Sequence, residues 1–355
     1  MDICGTPHAA VPTRGKRNRG VPSNTTKRAD FATAAAALIA SFALFASFGA
    51  WAQAYPSKQI RLIIPFVAGA SSNDIIGRAL ALKLAPGLGQ AILVENRPGQ
   101  AGNMGSEMVS KSTPDGYTLL LAINGPIAIS PSVYPDLGYD STRDLTPVAL
   151  IAKVPYMVGI NPQVPAKNVK EIIALVKARP GEINFGTTGS GGTPHLCIEL
   201  LMSIAGLKMV HVPYKGGAQT MTDLVGGQVQ MYCAGYSAMM PLVKAGKVRA
   251  IGSATLKRSE LLPELQTFIE QGIPDFEVGS WLGIMGPAKM PQPIARRLYD
   301  EVARTMATAD MKNYLISQGA EAALMAPDEF GAYVKTEIAK WAKVVKAAGV
   351  KPGAE

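Results

Sequence analysis

Histidine, cysteine, aromatic and acidic side chains are all scarce in this chain, and each shortage removes a class of chemistry. The 355 residues hold three His, three Cys and 26 Asp or Glu; aromatics make up 6%. His8, His195 and His211 form no HExxH pair, and no two thiols stand at zinc-site spacing, so no metal site is expected. No G-x-S-x-G elbow accompanies the histidines, and no lysine follows the glycine-rich stretch as a Walker motif requires. No second acid is evidently placed to complete a glycosidase-type pair. Net charge is +9, but residues 1–54 contribute six Lys or Arg against two acids. The remaining basic residues are scattered without a ladder or an interleaved aromatic platform, which argues against nucleic-acid binding. No catalytic residue and no cofactor is expected from this inventory.

One apolar run is long, and it is N-terminal. Arg14, Lys16, Arg17, Arg19, Lys27 and Arg28 precede FATAAAALIASFALFASFGAWA, and Ala52-Gln53-Ala54 offers a small-x-small cleavage site before Tyr55. Residues 1–54 are read as a basic region and secretory signal peptide; an uncleaved anchor is the minor alternative. Export places Cys197 and Cys233 where a bridge is chemically possible. Cys197 falls on an apparent helix and Cys233 at a strand end, so the reading favours two small buried hydrophobes.

What the chain has in quantity is glycine and other small residues at the ends of apolar runs. The apolar run Ile60–Ile64 leads through PFVAGASSND into the helix-like IIGRALALKLA, which ends at Pro86, Gly87 and Gly89. In this turn Ser71 can cap the helix, with Asp74 as the acidic partner three residues on. Gly69, Ala70, Ser71 and Ser72 keep the turn narrow, so that a ligand can approach its amides and the positive end of the helix, with Asn73 a further candidate contact. Asp74 either binds an ammonium or hydroxyl of that ligand or holds the loop in shape.

Further strands follow near 92–95 and 117–122, the second ending at Asn124-Gly125-Pro126. Alternation of strands and helices with short turns argues for a parallel or mostly parallel α/β sheet. The apolar stretch 148–160 is long enough to cross between two lobes, and 277–285 reads as the return strand. Asn168 can cap the helix VKEIIALVKA, with Glu171 in reciprocal position. Beyond the strand at 183–186, TTGSGGTPHL is a second anion-compatible turn, with Thr193 as N-cap and Pro194 in the first helical position. Its residues Thr187, Ser190, Gly191, Gly192 and Thr193 offer hydroxyls and amides. His195 is open to a capping, core or ligand role, whereas His211 reads as structural. Tyr214 beside Lys215 is either a ligand contact or an ordinary solvated pair. Phe66, Tyr236 and Trp281 are either apolar walls of a pocket or core. The segment AGYSAMMP reads as a loop. Helical regions near 292–308 and 328–347 are expected to cover the first lobe.

From Tyr55 to Gly349 these stretches closely resemble the extracytoplasmic solute-binding proteins of tripartite tricarboxylate transporters, the TctC or Bug family. YPSKQIRLIIPFVAGASSNDIIGR, VENRPGQAGNMGSEMV, PDGYTLLLA, TTGSGGTPHL, VHVPYKGGAQTMTDLVGGQVQ and WAKVVKAAGV carry the resemblance in order. It implies an α/β, two-lobed, type II-like periplasmic binding-protein fold with crossover strands and a central ligand cleft. Residues 55–157 and 281–355 would form one lobe and 158–280 the other. It also implies a monomer that passes a small carboxylate (a di- or tricarboxylate, aromatic acid or amino acid) to membrane subunits. The pocket carried over spans Phe66 to Asp74 and Thr187 to His195, with Asn124, Tyr214 and Tyr236 adding selectivity. Two departures stand out. The family's AGGxxD is here Gly69-Ala70 followed by Ser71, Ser72, Asn73 and Asp74, and its FDNLPSALP is here YCAGYSAMMP. A periplasmic sensor is the alternative use of such a cleft, and a secreted hydrolase or lyase working through Asp74 or His195 is the rival chemistry.

Overall fold

A computed structural model of the protein describes residues 55–68, 72–214 and 216–350; the side chain of Ser72 also lies outside that description. The expected signal segment, Gly69, Ala70, Ser71 and Lys215 fall outside the described residues.

Two parallel α/β units flank an antiparallel seam. In the first unit β1 (Ile60–Ile64) lies between β2 (Ile92–Asn96) and β3 (Thr118–Ile123), all parallel. In the second, β5 (Asn184–Thr187) lies between β6 (Val210–Pro213) and β7 (Met231–Gly235), again parallel. The seam consists of β4 (Leu145–Ile160) and β9 (Gly279–Pro287), paired antiparallel from Leu145↔Pro287 to Pro155↔Gly279. β9 also pairs with β3, and the far half of β4 pairs with β7, so one sheet path runs β2-β1-β3-β9-β4-β7-β5-β6. β8 (Arg249–Ser253) and β10 (Glu321–Met325) pair with β4 off that path.

The strands form where the sequence is apolar for four or more residues between turn signals, and the central ones are buried on both faces. Ile60, Ile63 and Ile64 in β1 and Leu120 to Ala122 in β3 are all fully enclosed, which is the pattern of a strand covered by helices above and below. Each such Ile or Leu side chain contributes about 1.5–3 kcal/mol on burial. One core cluster, with Ile76, Leu80, Leu84, Leu298 and Val302, sits under the helices Ser72–Leu88 and Gln292–Ala307. The largest cluster joins Ile63 and Leu120 to Phe185, Leu201, Phe330 and Trp341.

Several local expectations are corrected by packing. The first helix does not stop before Pro86; it runs to Leu88 and ends at Gly89, whose φ of 71° reverses the chain. Pro86 sits in the last turn, and the carbonyl it leaves unserved belongs to Leu82, a solvent-facing residue. The segment AGYSAMMP is not a loop: after β7 it is the helix Tyr236–Lys244 with Pro241 inside. A helix at Ala309–Ser317 and strand β10 lie between the two expected C-terminal helices. The last helix, Pro327–Ala348, also packs against the helix Thr193–Ala205 rather than against the first unit alone. Asn168 does cap its helix, accepting from Glu171 N at 2.9 Å, while the Glu171 carboxylate accepts from Lys167 N at 2.7 Å.

The expectation for the cysteines is overturned. Cys197 and Cys233 are bonded, joining the helix Thr193–Ala205 to β7. Both are fully buried, as expected, but burial brings them face to face across the helix–sheet interface.

Candidate functional site

In each parallel unit the chain leaves the central strand and its neighbour toward opposite connections, and a crevice opens at the carboxyl ends of such strands. Here the crevices of the two units share one cleft of about 750 Å³. The turn after β1 supplies Phe66 and Asn73, and the end of β3 supplies Ile123, Asn124 and Gly125. The turn after β5 supplies Thr188 to Pro194, and the end of β7 supplies Ala234, Gly235, Ser237 and Ala238. The seam strands complete it with Val154, Tyr156 and Ser280.

No Lys, Arg, Asp, Glu or His is among the described residues lining this cleft. Its polarity comes from hydroxyls, amides and the amino ends of the helices Ser72–Leu88, Thr193–Ala205 and Tyr236–Lys244. Unpaired N–H groups at those ends carry partial positive charge. Tyr156 and Tyr232 add phenols; burial pushes Tyr156 up to about 12 and raises Tyr232 further, so both remain protonated donors at neutral pH.

Asn124 is the polar centre. Its Nδ2 donates to Thr193 Oγ1 at 3.3 Å and to Gly279 O at 3.0 Å, and Ser280 Oγ donates to its Oδ1 at 2.7 Å. One side chain thus connects the end of β3, the second turn and the seam. Thr193 is not the N-cap expected of it: the cap is Gly192, with extended backbone, and Thr193 is already helical, which frees its hydroxyl to meet Asn124.

Beneath the second turn lies a stack of rings. Phe185, His195 and His211 are nearly parallel, with the two imidazoles 4.1 Å apart. His195 Nδ1 accepts from Gly191 N at 3.0 Å, which puts the proton of the neutral ring on Nε2, 3.3 Å from Glu199 Oε1. His211 Nε2 shares a 2.6 Å hydrogen bond with Thr187 Oγ1, which also accepts from Gly189 N at 3.3 Å. Burial and the neighbouring His195 push the His211 imidazole down to about 4. The histidines and Thr187 therefore shape the turn from below and do not line the cleft.

Asp74 behaves similarly under the first turn. It is 1% exposed and accepts from Arg78 Nε at 2.9 Å and Asn96 Nδ2 at 2.7 Å, while Asn96 Nδ2 also donates to Phe66 O at 2.8 Å. Of the remaining residues singled out in the sequence, Phe66, Asn73, Asn124, Ser190, Gly191, Gly192 and Thr193 are brought together at the cleft. Tyr214 and Tyr236 are not. Tyr214 turns toward Asp223, and burial with that contact raises its phenol to about 12. Tyr236 is buried, and its hydroxyl donates to Ser253 Oγ at 2.7 Å. Sequence reasoning missed Tyr156, Tyr232, Ser237 and Ser280. The signal for two of them was present: 148–160 and 277–285 read as crossover strands, whose alternate residues must face whatever lies between the units. Among the described residues no group of three or more His, Cys, Asp or Glu is placed to hold a metal ion.

Comparison with known proteins agrees with this geometry. The family described as "Tripartite tricarboxylate transporter family receptor" matches residues 76–350. Protein BugT of Bordetella pertussis is 33% identical over 301 residues, covering 84% of this chain and 92% of that protein. The solved structure of R. palustris Rpa4515 with adipate is 34% identical, with a TM-score of 0.75, covering 84% of this chain and 99% of that one. MatC from Rhodopseudomonas palustris with bound malate is 30% identical, with a TM-score of 0.71, covering 82% and all of that chain (100%). The sheet path, the cleft at its switch points and these matches lead to one conclusion: the chain belongs to the TctC/Bug family of tripartite tricarboxylate transporter receptors, periplasmic solute-binding proteins and not enzymes.

Proposed function

We propose that this protein captures a short aliphatic dicarboxylate in the cleft and presents it to the membrane subunits of its transporter. The observation that carries the reading is the uncharged wall: neutral donors and helix amino ends face the space from both parallel units. A carboxylate leaving water needs such donors on every oxygen, because an unpaired buried charge is prohibitive. Fixed dipoles supply that stabilisation without a counter-ion. Donors from both units suit a ligand with an acid group at each end, and the apolar Phe66, Ile129, Val133 and Val154 that also line the cleft suit a methylene chain. The malate and adipate of the two Rhodopseudomonas structures have that chemistry.

The test is calorimetric titration of the exported protein, unfolded and refolded to remove carried ligand. Matched mono-, di- and tricarboxylic acids, aromatic acids and amino acids form the panel. Saturable one-to-one binding strongest for dicarboxylates, with the ligand recovered unchanged, is the expected result. Preference for a monocarboxylate or an amino acid would overturn the two-ended reading.

A further inference from the structure

Polar side chains lining the main cleft differ in what they bond. Asn124, Thr193 and Ser280 bond one another and hold the wall. Tyr156 and Tyr232 also line it, yet among the described residues neither hydroxyl has a hydrogen-bond partner. The side-chain atoms sealed from solvent without a partner there are Ser141 Oγ and Trp281 Nε1, so both phenol oxygens keep accessible surface. Tyr232 is the more enclosed, 3% exposed against a half-buried Tyr156. A phenol buried that far normally has a partner, because a bare O–H costs the desolvation of the group.

Tyr232 sits on β7, in the strand that Gly235 ends. A Cβ built on Gly217 would stand 3.4 Å from Tyr232 Oη and 3.7 Å from the Thr188 methyl. The hydroxyl therefore lies where the turn after β5 meets the helix Gly217–Gly226, and position 217 carries no side chain to cover it. Gly216 is the N-cap of that helix and no side chain caps its end, which leaves N–H groups with partial positive charge there. Burial raises the Tyr232 phenol, and nearby Tyr156 adds to the effect, so the group is a donor at neutral pH. Thr188, like Tyr232, lines the cleft. One wall of the cleft thus holds an enclosed donor, next to a helix end of the matching sign, for which the chain supplies no acceptor.

We infer that the Tyr232 hydroxyl, beside the uncapped end of the helix Gly217–Gly226, receives the second carboxylate of the solute and is the group that separates diacids from monoacids. The inference rests on the dicarboxylate reading above and names the residue that enforces it. A carboxylate accepts from the O–H and is favoured by the helix end. The methyl end of a monoacid would displace water from the hydroxyl and leave it bare. An ammonium would meet positive charge, with no acid among the described residues of the cleft wall to offset it.

The test titrates the exported wild type, Tyr232→Phe and Tyr156→Phe with succinate, glutarate and adipate, and with butyrate, valerate and hexanoate as chain-matched monoacids. Calorimetry measures the diacids and ligand-observed NMR the weaker monoacids. Each variant loses one oxygen and keeps its ring, and the thermal midpoint checks the fold. Tyr232→Phe is expected to weaken the best diacid roughly tenfold or more, the scale of a lost charge-assisted hydrogen bond, and to move its matched monoacid by less than about twofold. That selective loss supports the assignment whatever Tyr156→Phe does. Unchanged diacid affinity in Tyr232→Phe overturns it, as does an equal loss for diacid and monoacid; in both cases a wild-type preference for diacids leaves the dicarboxylate reading standing. A wild-type preference for monoacids overturns that reading and this inference together.

Discussion

Asn124 ties three segments together with one amide, and Asn124→Leu strips all three at once. It leaves buried Thr193 and the half-buried Ser280 and Gly279 carbonyl without their partner, a loss of about 1–3 kcal/mol. Dicarboxylate affinity is expected to fall by at least roughly tenfold in a calorimetric titration, with the far-ultraviolet circular dichroism of the folded protein retained. Asp74 predicts differently because it acts through Asn96 and Arg78 rather than on the solute. Asp74→Ala removes a charged acceptor and is expected to cost about 1.5–3 kcal/mol of stability in urea unfolding. Its affinity loss should be equal for hydroxylated and simple acids; a selective loss for malate over succinate would place Asp74 on the ligand after all. Each of these side chains was visible in the sequence as a polar residue at a strand end. Which of them faces the solute was not, because that depends on neighbours distant in the chain.

The second turn is an element supported from both ends. The Cys197–Cys233 bond closes a separation of 36 residues, and the chain-entropy account assigns such a loop about 4 kcal/mol. Paired Cys197→Ser and Cys233→Ser substitutions should lower the thermal midpoint by several degrees, and reductant should lower the wild type but not the double variant. The ring stack beneath the turn adds a pH dependence. His211 is depressed to about 4 by burial and by His195, whereas the unfolded imidazole titrates near ~6.5. Between those values the unfolded chain binds the additional proton, so this contribution is complete above ~6.5 and is lost as pH falls toward about 4. Urea midpoints across that window should decline more steeply for the wild type than for His211→Gln.

At the scale of the whole molecule, the cleft is a joint property of two α/β units and the strands between them. A solute that contacts both units binds the folded state alone and stabilises it by mass action. Dicarboxylate at a hundred times its dissociation constant should raise stability by about 2.7 kcal/mol, seen as an upward thermal shift that non-binding acids do not produce. Absence of a shift with a saturating calorimetric ligand would place binding outside the cooperative fold.

Most of the order of strands, turns and helices up to β7 was legible in the sequence because each is decided within a few turns of chain, whereas the helices Tyr236–Lys244 and Ala309–Ser317 and strand β10 were not. The apolar run Ile60–Ile64 followed by small residues and a helical period is one such case, and the Asn168 cap answered by Glu171 is another. The family was legible because its turns recur in order along the chain. What only tertiary structure decided is facing and pairing. Tyr236 follows Gly235 immediately, yet helix phase turns it to Ser253 while Gly235 and Ser237 line the cleft. His195 stands in the turn's own motif, yet it bonds Gly191 from beneath. Lys153 and Val154 are neighbours on one strand, yet only Val154 lines the main cleft. Cys197 and Cys233 meet only because a helix settles on a strand 36 positions away. Local sequence specifies backbone states; the side a residue presents follows from register and helix phase, and those are set by non-local contacts.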